Sequence, residues 1–172
     1  MSHTVDLHGF EGASSDPAVL RAAFSRFPSG VAALSVEREG VKSGMIATSF
    51  SVGVSFDPPL VMFSVQNNSS TWPMMRKSER IGISILGSGH AAACIQLASR
   101  KGDRFAGLDT TTTAYGSLFI DGSAMWLDCS IISETPAGDH HIIILEVHSL
   151  RVNDEIEPLI YHGAAFRELV AV

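Results

Sequence analysis

With 172 residues, 45% of them hydrophobic and 17% charged, the chain is long enough to bury one core and too apolar to remain disordered. A formal net charge of −6 leaves no basic footprint for nucleic acid. Apolar runs such as residues 142–145 are too short to span a bilayer, and the N-terminus lacks the basic-then-apolar pattern of a secretory signal, so a cytoplasmic protein is expected.

Residues 1–15 are small and polar without period, and read as a flexible arm ahead of a single domain over 16–172. Asp16-Pro17 places a capping residue before a proline at the first helical position, which starts a helix. Val19, Leu20, Ala23, Phe24 and Phe27 recur at spacings of three and four and predict one buried stripe on it. Pro28-Ser29-Gly30 ends it. Strands are predicted over 31–36 and 42–48, turned by Arg38-Glu39-Gly40. The run over 44–60 carries small hydroxyl residues and Gly53, then stops at Pro58-Pro59. Residues 60–65 are apolar in the main and suit a strand buried on both faces. Ser69-Ser70-Thr71-Trp72-Pro73 opens a short helix through Lys77.

A further strand is predicted over 80–86 and a helix over 91–99, with Ile95 on the side of Ala91 or Ala98. A Thr-rich loop follows around 110–113. Residues 125–134 and 141–150 read as a hairpin joined by Thr135-Pro136-Ala137-Gly138-Asp139, and 159–162 as a last strand. Six or more strands with two or three short helices make a mainly β protein.

Several segments could carry chemistry. Thr48, Ser49, Ser51 and Ser55 have the spacing of solvent-facing strand positions, and equally of a mixed wall for a flat ligand with one apolar and one polar end. Ser69, Ser70 and Thr71 form a helix start, a place that also suits an anion. Arg104 reads as a solvated loop residue. His140 stands in a turn that can aim it into a cleft. The His140-His141 pair does not suit zinc, because consecutive strand residues point to opposite faces, and no metal site is predicted. Cys94 and Cys129 read as buried free thiols. The dinucleotide fingerprint Gly-x-Gly-x-x-Gly does not occur; Gly87-Ser88-Gly89 lacks its third glycine. A Gly-x-Ser-x-Gly hydrolase elbow is also absent.

Taken in order, Phe27-Pro28-Ser29-Gly30-Val31, the 44–60 run, Gly102-Asp103-Arg104-Phe105-Ala106-Gly107, Gly138-Asp139-His140 and Pro158-Leu159-Ile160-Tyr161 resemble the flavin reductase family. These proteins are the reductase components of two-component monooxygenases. The resemblance covers residues 20–169 and implies an FMN-binding split β-barrel of Greek-key type, homodimeric, with the flavin near the subunit interface. It implies NAD(P)H-dependent reduction of FMN or FAD and release of reduced flavin to a partner monooxygenase. It carries flavin contacts onto Ile46, Ala47, Thr48, Ser49, Ser51, Ser64, Gln66, Asn67, Ser69, Ser70 and Thr71. Arg104 would supply charge or stacking, Phe105 an apolar cover, and His140 would meet the nicotinamide nucleotide. No side chain is implied as a catalytic acid, since the hydride passes from one cofactor to the other. Related barrels also serve as flavin-binding electron carriers and pyridoxamine-phosphate oxidases. Two departures stand out. Leu145 replaces a usual glycine and is expected to narrow the nicotinamide's access, and Ser84 replaces a usual asparagine.

Overall fold

The structure, a computed structural model, describes residues 12–170; most of the expected N-terminal arm lies outside the described residues. Its frame is a hairpin of two strands of 13 residues, β9 (Met125–Ala137) and β10 (His140–Val152). β10 pairs on its other side with β5 (Pro59–Gln66), and β9 with β6 (Ile81–Ile85). β2 (Ala32–Arg38), β3 (Val41–Ala47) and β4 (Ser51–Phe56) complete an antiparallel sheet of order β3-β2-β6-β9-β10-β5-β4. β3 and β4, consecutive in the chain, are its two ends. The sheet curls so that one face encloses Leu34, Phe63, Ile81, Ile83, Leu127, Ile143 and Leu145. The fold is therefore a split β-barrel, mainly β as the sequence predicts.

A second cluster lies on the outer face, where Ala33, Leu86 and Leu159 meet Cys94 and Leu97 of α3 (Ala91–Ala98). Leu118 and Ile120 of β8 (Leu118–Ile120) belong to the same cluster. β8 pairs with β7 (Thr110–Thr112), so the expected Thr-rich loop is a strand. Threonine favours strands, but three in a row give no in-out alternation to read. Two-residue β1 (Ser29–Gly30) pairs with β11 (Ile160–His162), which also pairs with β12 (Ala165–Arg167).

The helices depart most from expectation. α1 (Pro17–Phe24) starts as predicted, with the Asp16 carboxylate accepting the Ala18 N–H at 2.8 Å, but it buries no residue. All of its expected stripe but the partly covered Leu20 is open to solvent, Phe24 at 71% and Phe27 at 77%. Periodicity shows that a face is apolar and not what covers it. α2 (Trp72–Met75) is a four-residue turn shorter than predicted. On α3 the buried residues are Ala93, Cys94 and Leu97, while Ile95 faces outward. β5 alternates: Val61, Phe63 and Val65 are buried and the residues between them only partly so, since the curled sheet turns just one face to the core. The hairpin turn is shorter than predicted, because Thr135, Pro136 and Ala137 extend β9 and pair with β10.

Both departures from the family pattern have structural explanations. Leu145 is fully buried in the barrel core opposite Val61 and Ile131, so it does not narrow the cleft described below. Ser84, also fully buried, accepts the Ile120 N–H at 2.9 Å and so ties β8 to the barrel. β8 sits so close to β6 that a Cβ on Gly82 would lie 2.8 Å from the Leu118 backbone nitrogen. Gly82→Ala is therefore expected to destabilise the fold by about 1–3 kcal/mol through overpacking. Thermal or urea denaturation followed by circular dichroism would check this.

Candidate active site

The end of β3, the end of β5 and the start of α2 converge on an open cleft of about 540 Å³. That volume lies within the roughly 300–1,000 Å³ range of small-molecule sites. Ile46, Ala47, Thr48 and Ser49 form one wall and Ser64 and Gln66 another. Ser69, Ser70, Thr71 and Arg104 close one end, and His140 stands on the rim. The cleft thus gathers most of the residues marked from the sequence. Ser51, Asn67 and Phe105 are not among its lining residues.

Ser51 pairs with Met62 in the β4–β5 ladder. Phe105 is buried in the outer cluster, where it supports Gly44; a Cβ on Gly44 would lie 2.8 Å from the Phe105 ring. It therefore braces β3 from behind instead of covering the cleft. The Asn67 side chain turns to the β9–β10 turn, donating from Nδ2 to the Gly138 carbonyl at 3.3 Å. Its Oδ1 lies 2.7 Å from His141 Nδ1. Sequence reasoning did not mark Met45, Val65, Asn68, Leu97, Ala98 and Arg100, which also line the cleft. A sequence signal for Arg100 existed: it sits just after α3 in a segment that also carries Lys101 and Arg104.

Several hydroxyls have structural duties. Ser49 Oγ accepts the Ser64 N–H at 3.1 Å and lies 3.2 Å from the Ser64 carbonyl, to which it donates. It joins the end of β3 to β5 across the split in the barrel. Ser69 Oγ accepts the Trp72 N–H at 3.2 Å, and Pro73 has no N–H to give. So short a helix is a weak anion site by itself. Cations and hydroxyls carry the polarity of that end instead.

Arg104 is not a solvated loop residue. Its Nη1 donates to the Gly44 carbonyl at 2.8 Å and to Thr71 Oγ1 at 3.0 Å. Gln96 Nε2 of α3 fixes the loop behind it, donating to the Arg104 carbonyl at 3.1 Å and the Ala106 carbonyl at 2.8 Å. The guanidinium keeps further N–H donors for an anion.

On the rim, His140 pairs with Gln66 across the β5–β10 ladder. Its Nδ1 lies 2.7 Å from Asp139 Oδ1. A carboxylate only accepts, so Nδ1 carries the proton and Nε2 is the free ring nitrogen. The hydrogen bond from His140, and then its charge, hold the Asp139 carboxyl below the usual carboxylate range. The free cysteines stand apart from this chemistry. Burial pushes Cys94 up to about 11 and Cys129 up to about 12, so both are thiols at neutral pH.

Comparison with known proteins gives this geometry its family. Residues 24–170 match the flavin reductase like domain. The chain is 33% identical over 158 residues to a flavin reductase of Pseudomonas putida, covering 91% of this chain and 92% of that protein. It is 32% identical over 151 residues to the flavin-dependent monooxygenase reductase subunit HsaB of Rhodococcus jostii, covering 88% of this chain and 77% of that one. Among solved structures, the NADH:FAD oxidoreductase SgcE6 of Streptomyces globisporus, in complex with NAD and FAD fragments, superposes with a TM-score of 0.84 at 28% identity, covering 98% of each chain. The chain belongs to the flavin reductase-like family.

The Arg104 contacts generate a prediction. Arg104→Ala removes both the link from β3 to the hydroxyl end and the cation at that end, and is expected to weaken flavin binding by about 1.5–3 kcal/mol. Arg104→Lys keeps a charge but loses the planar fork, and should recover only part of that loss. Fluorescence-quenching titrations of both variants would measure it.

Proposed function

We propose that this cleft is where the chain reduces a flavin with a nicotinamide nucleotide. The chain is an NAD(P)H:flavin oxidoreductase that supplies reduced flavin to a separate monooxygenase. The observation that carries the reading is the composition of the cleft. A hydroxyl-and-arginine end, a smooth wall at Ile46 and Ala47 and a rim imidazole stand in one concavity of a flavin reductase-like barrel. The arginine end suits a flavin phosphate, and the backbone of 46–49 with Ser64 and Gln66 suits the ring system. The reaction moves a hydride from C4 of the dihydronicotinamide to N5 of the flavin, chemistry that the two cofactors supply. The protein's part is placement, with His140 holding the nucleotide at the rim. Reduced flavin reacts with oxygen in water, so the partner oxygenase must take it promptly. The unpaired cysteines and the need for nicotinamide nucleotide agree with action in the cytoplasm.

FAD is the better-fitting flavin. A groove of about 290 Å³ shares Ser70, Thr71 and Arg104 with the cleft and is also lined by Lys42, Asp103 and Met74. The adenylate half of FAD would enter it; Lys42, whose Nζ donates to Thr110 Oγ1 at 2.8 Å, keeps further N–H donors for an anion, and Asp103, whose Oδ1 accepts the Phe105 N–H, keeps Oδ2 as an acceptor for hydroxyls. FMN ends before it.

The working unit is a homodimer. The exposed rings of Phe24 and Phe27 line an apolar groove that also reaches Thr48 and Ser49, so a second copy seated there would adjoin the cleft. The mean hydropathy of +0.21 agrees with a covered face.

Each part has its measurement. NADH or NADPH consumption should depend on added free flavin; no consumption with any pairing of nucleotide and flavin would overturn the reading. FAD should bind more tightly than FMN, and Lys42→Ala should remove that preference while leaving FMN affinity in place. Light scattering should report a mass near twice 18.4 kDa, and a mass near 18.4 kDa at micromolar concentration would rule out the dimer.

A further inference from the structure

We propose that Asn67 is a positioning residue for the nicotinamide nucleotide, acting through the Gly138-Asp139-His140 turn, and not a flavin contact. The inference rests on the reading of the cleft given above and deepens it.

Asn67 follows the last residue of β5, and its neighbours Gln66 and Asn68 line the cleft while it does not. Its backbone N–H donates to the Asp139 carbonyl at 3.0 Å, carrying the β5–β10 ladder onto the turn. Its side chain then grips the turn twice more. Nδ2 donates to the Gly138 carbonyl at 3.3 Å. That fixes which way the amide faces and leaves Oδ1 beside His141 Nδ1 at 2.7 Å. Oδ1 can only accept, so His141 Nδ1 carries the proton. One side chain therefore ties the residue that opens the turn to the residue that follows His140.

The turn needs such a tie. Gly138 has φ +64°, the left-handed value that a two-residue hairpin loop led by glycine requires. Gly138 and Asp139 are exposed, Asp139 at 92% of its side chain, so packing does little to hold the turn that leads into the partly covered His140. The hydrogen bond that aims His140, from Nδ1 to Asp139, belongs to this same exposed tip. If the tip moves, the imidazole moves with it. The flavin end of the cleft, set by Arg104, Thr71 and Gly44, is held by separate bonds.

The effect of losing Asn67 should therefore fall on one substrate. Asn67→Ala should raise the KM for NADH or NADPH by roughly tenfold, since misplacing a binding group by a fraction of an ångström is costly. It should leave flavin Kd within about twofold and kcat nearly intact, the signature of lost uniform binding. Because Asn67 acts through His140, the Asn67→Ala, His140→Ala double variant should be no worse than His140→Ala alone. Asn67→Asp keeps the acceptor for His141 and loses the donor to Gly138, and should fall between alanine and wild type.

The test is steady-state kinetics and flavin titration on these variants and the wild type, each with a melting curve to confirm folding. An unchanged nucleotide KM in Asn67→Ala, a loss confined to flavin affinity, or fold-changes that multiply with those of His140→Ala would each overturn the proposal. Should the alanine variant fail to fold, the same criteria apply to Asn67→Asp. Absence of wild-type turnover with any flavin would sink the underlying reading as well. Normal wild-type turnover with a silent Asn67 would sink the positioning role alone.

Discussion

One guanidinium nitrogen ties the β3 wall of the cleft to its hydroxyl end, and the site depends on that link. Arg104 Nη1 bonds the Gly44 carbonyl of β3 and the Thr71 hydroxyl at the start of α2. Each contact presupposes others. The arginine is placed because Gln96 of α3 holds the carbonyls on either side of Phe105. α3 is placed because Cys94 and Leu97 are buried against the outer face of the sheet. Gly44 can come this close because it has no Cβ to meet the Phe105 ring and the Ser35 hydroxyl. The outer core, the loop and the cleft wall are thus one mechanical chain.

The opposite rim is built on a different principle. There the long β9–β10 hairpin carries its turn past the core, and hydrogen bonds instead of apolar packing fix its tip. A packed end for the flavin and a hydrogen-bonded tip for the nucleotide suit the proposed chemistry. Hydride transfer asks for two rings at contact distance and little from side-chain acids or bases. The two cysteines, thiols at neutral pH, are not among the lining residues of the cleft.

Much of this was legible in the sequence because local rules decide it. Asp16-Pro17 caps α1, Arg38-Glu39-Gly40 turns β2 into β3, and Gly138-Asp139 turns β9 into β10. The clustering of 46–49, 69–71, Arg104 and His140 followed from family resemblance and was not derivable from pattern alone. What remained hidden depends on contacts between distant residues. Ser49 looks like a ligand hydroxyl until Ser64 is seen beside it, 15 positions away. Asn67 looks like a cleft residue until Gly138, 71 positions on, takes its amide. Phe105 looks like an apolar cover until Gly44 of β3 is seen against its ring. The α1 stripe has the right period but no partner within the described residues, because a hydrophobic face does not say what it meets. Leu145 looked obstructive from its position after the histidine, yet it sits opposite Val61 in the barrel core.

The central claim is that one cleft brings a flavin and a nicotinamide nucleotide into contact. Anaerobic rapid mixing tests it most directly. The protein with bound flavin is mixed with NADH or NADPH at a series of concentrations in excess over the flavin, and the flavin's visible absorbance is followed. The account predicts that the band bleaches with saturating dependence on nucleotide concentration, and that NADH labelled with deuterium at the transferred hydrogen slows the bleaching. Flavin that binds in the cleft yet keeps its absorbance with both nucleotides would contradict it.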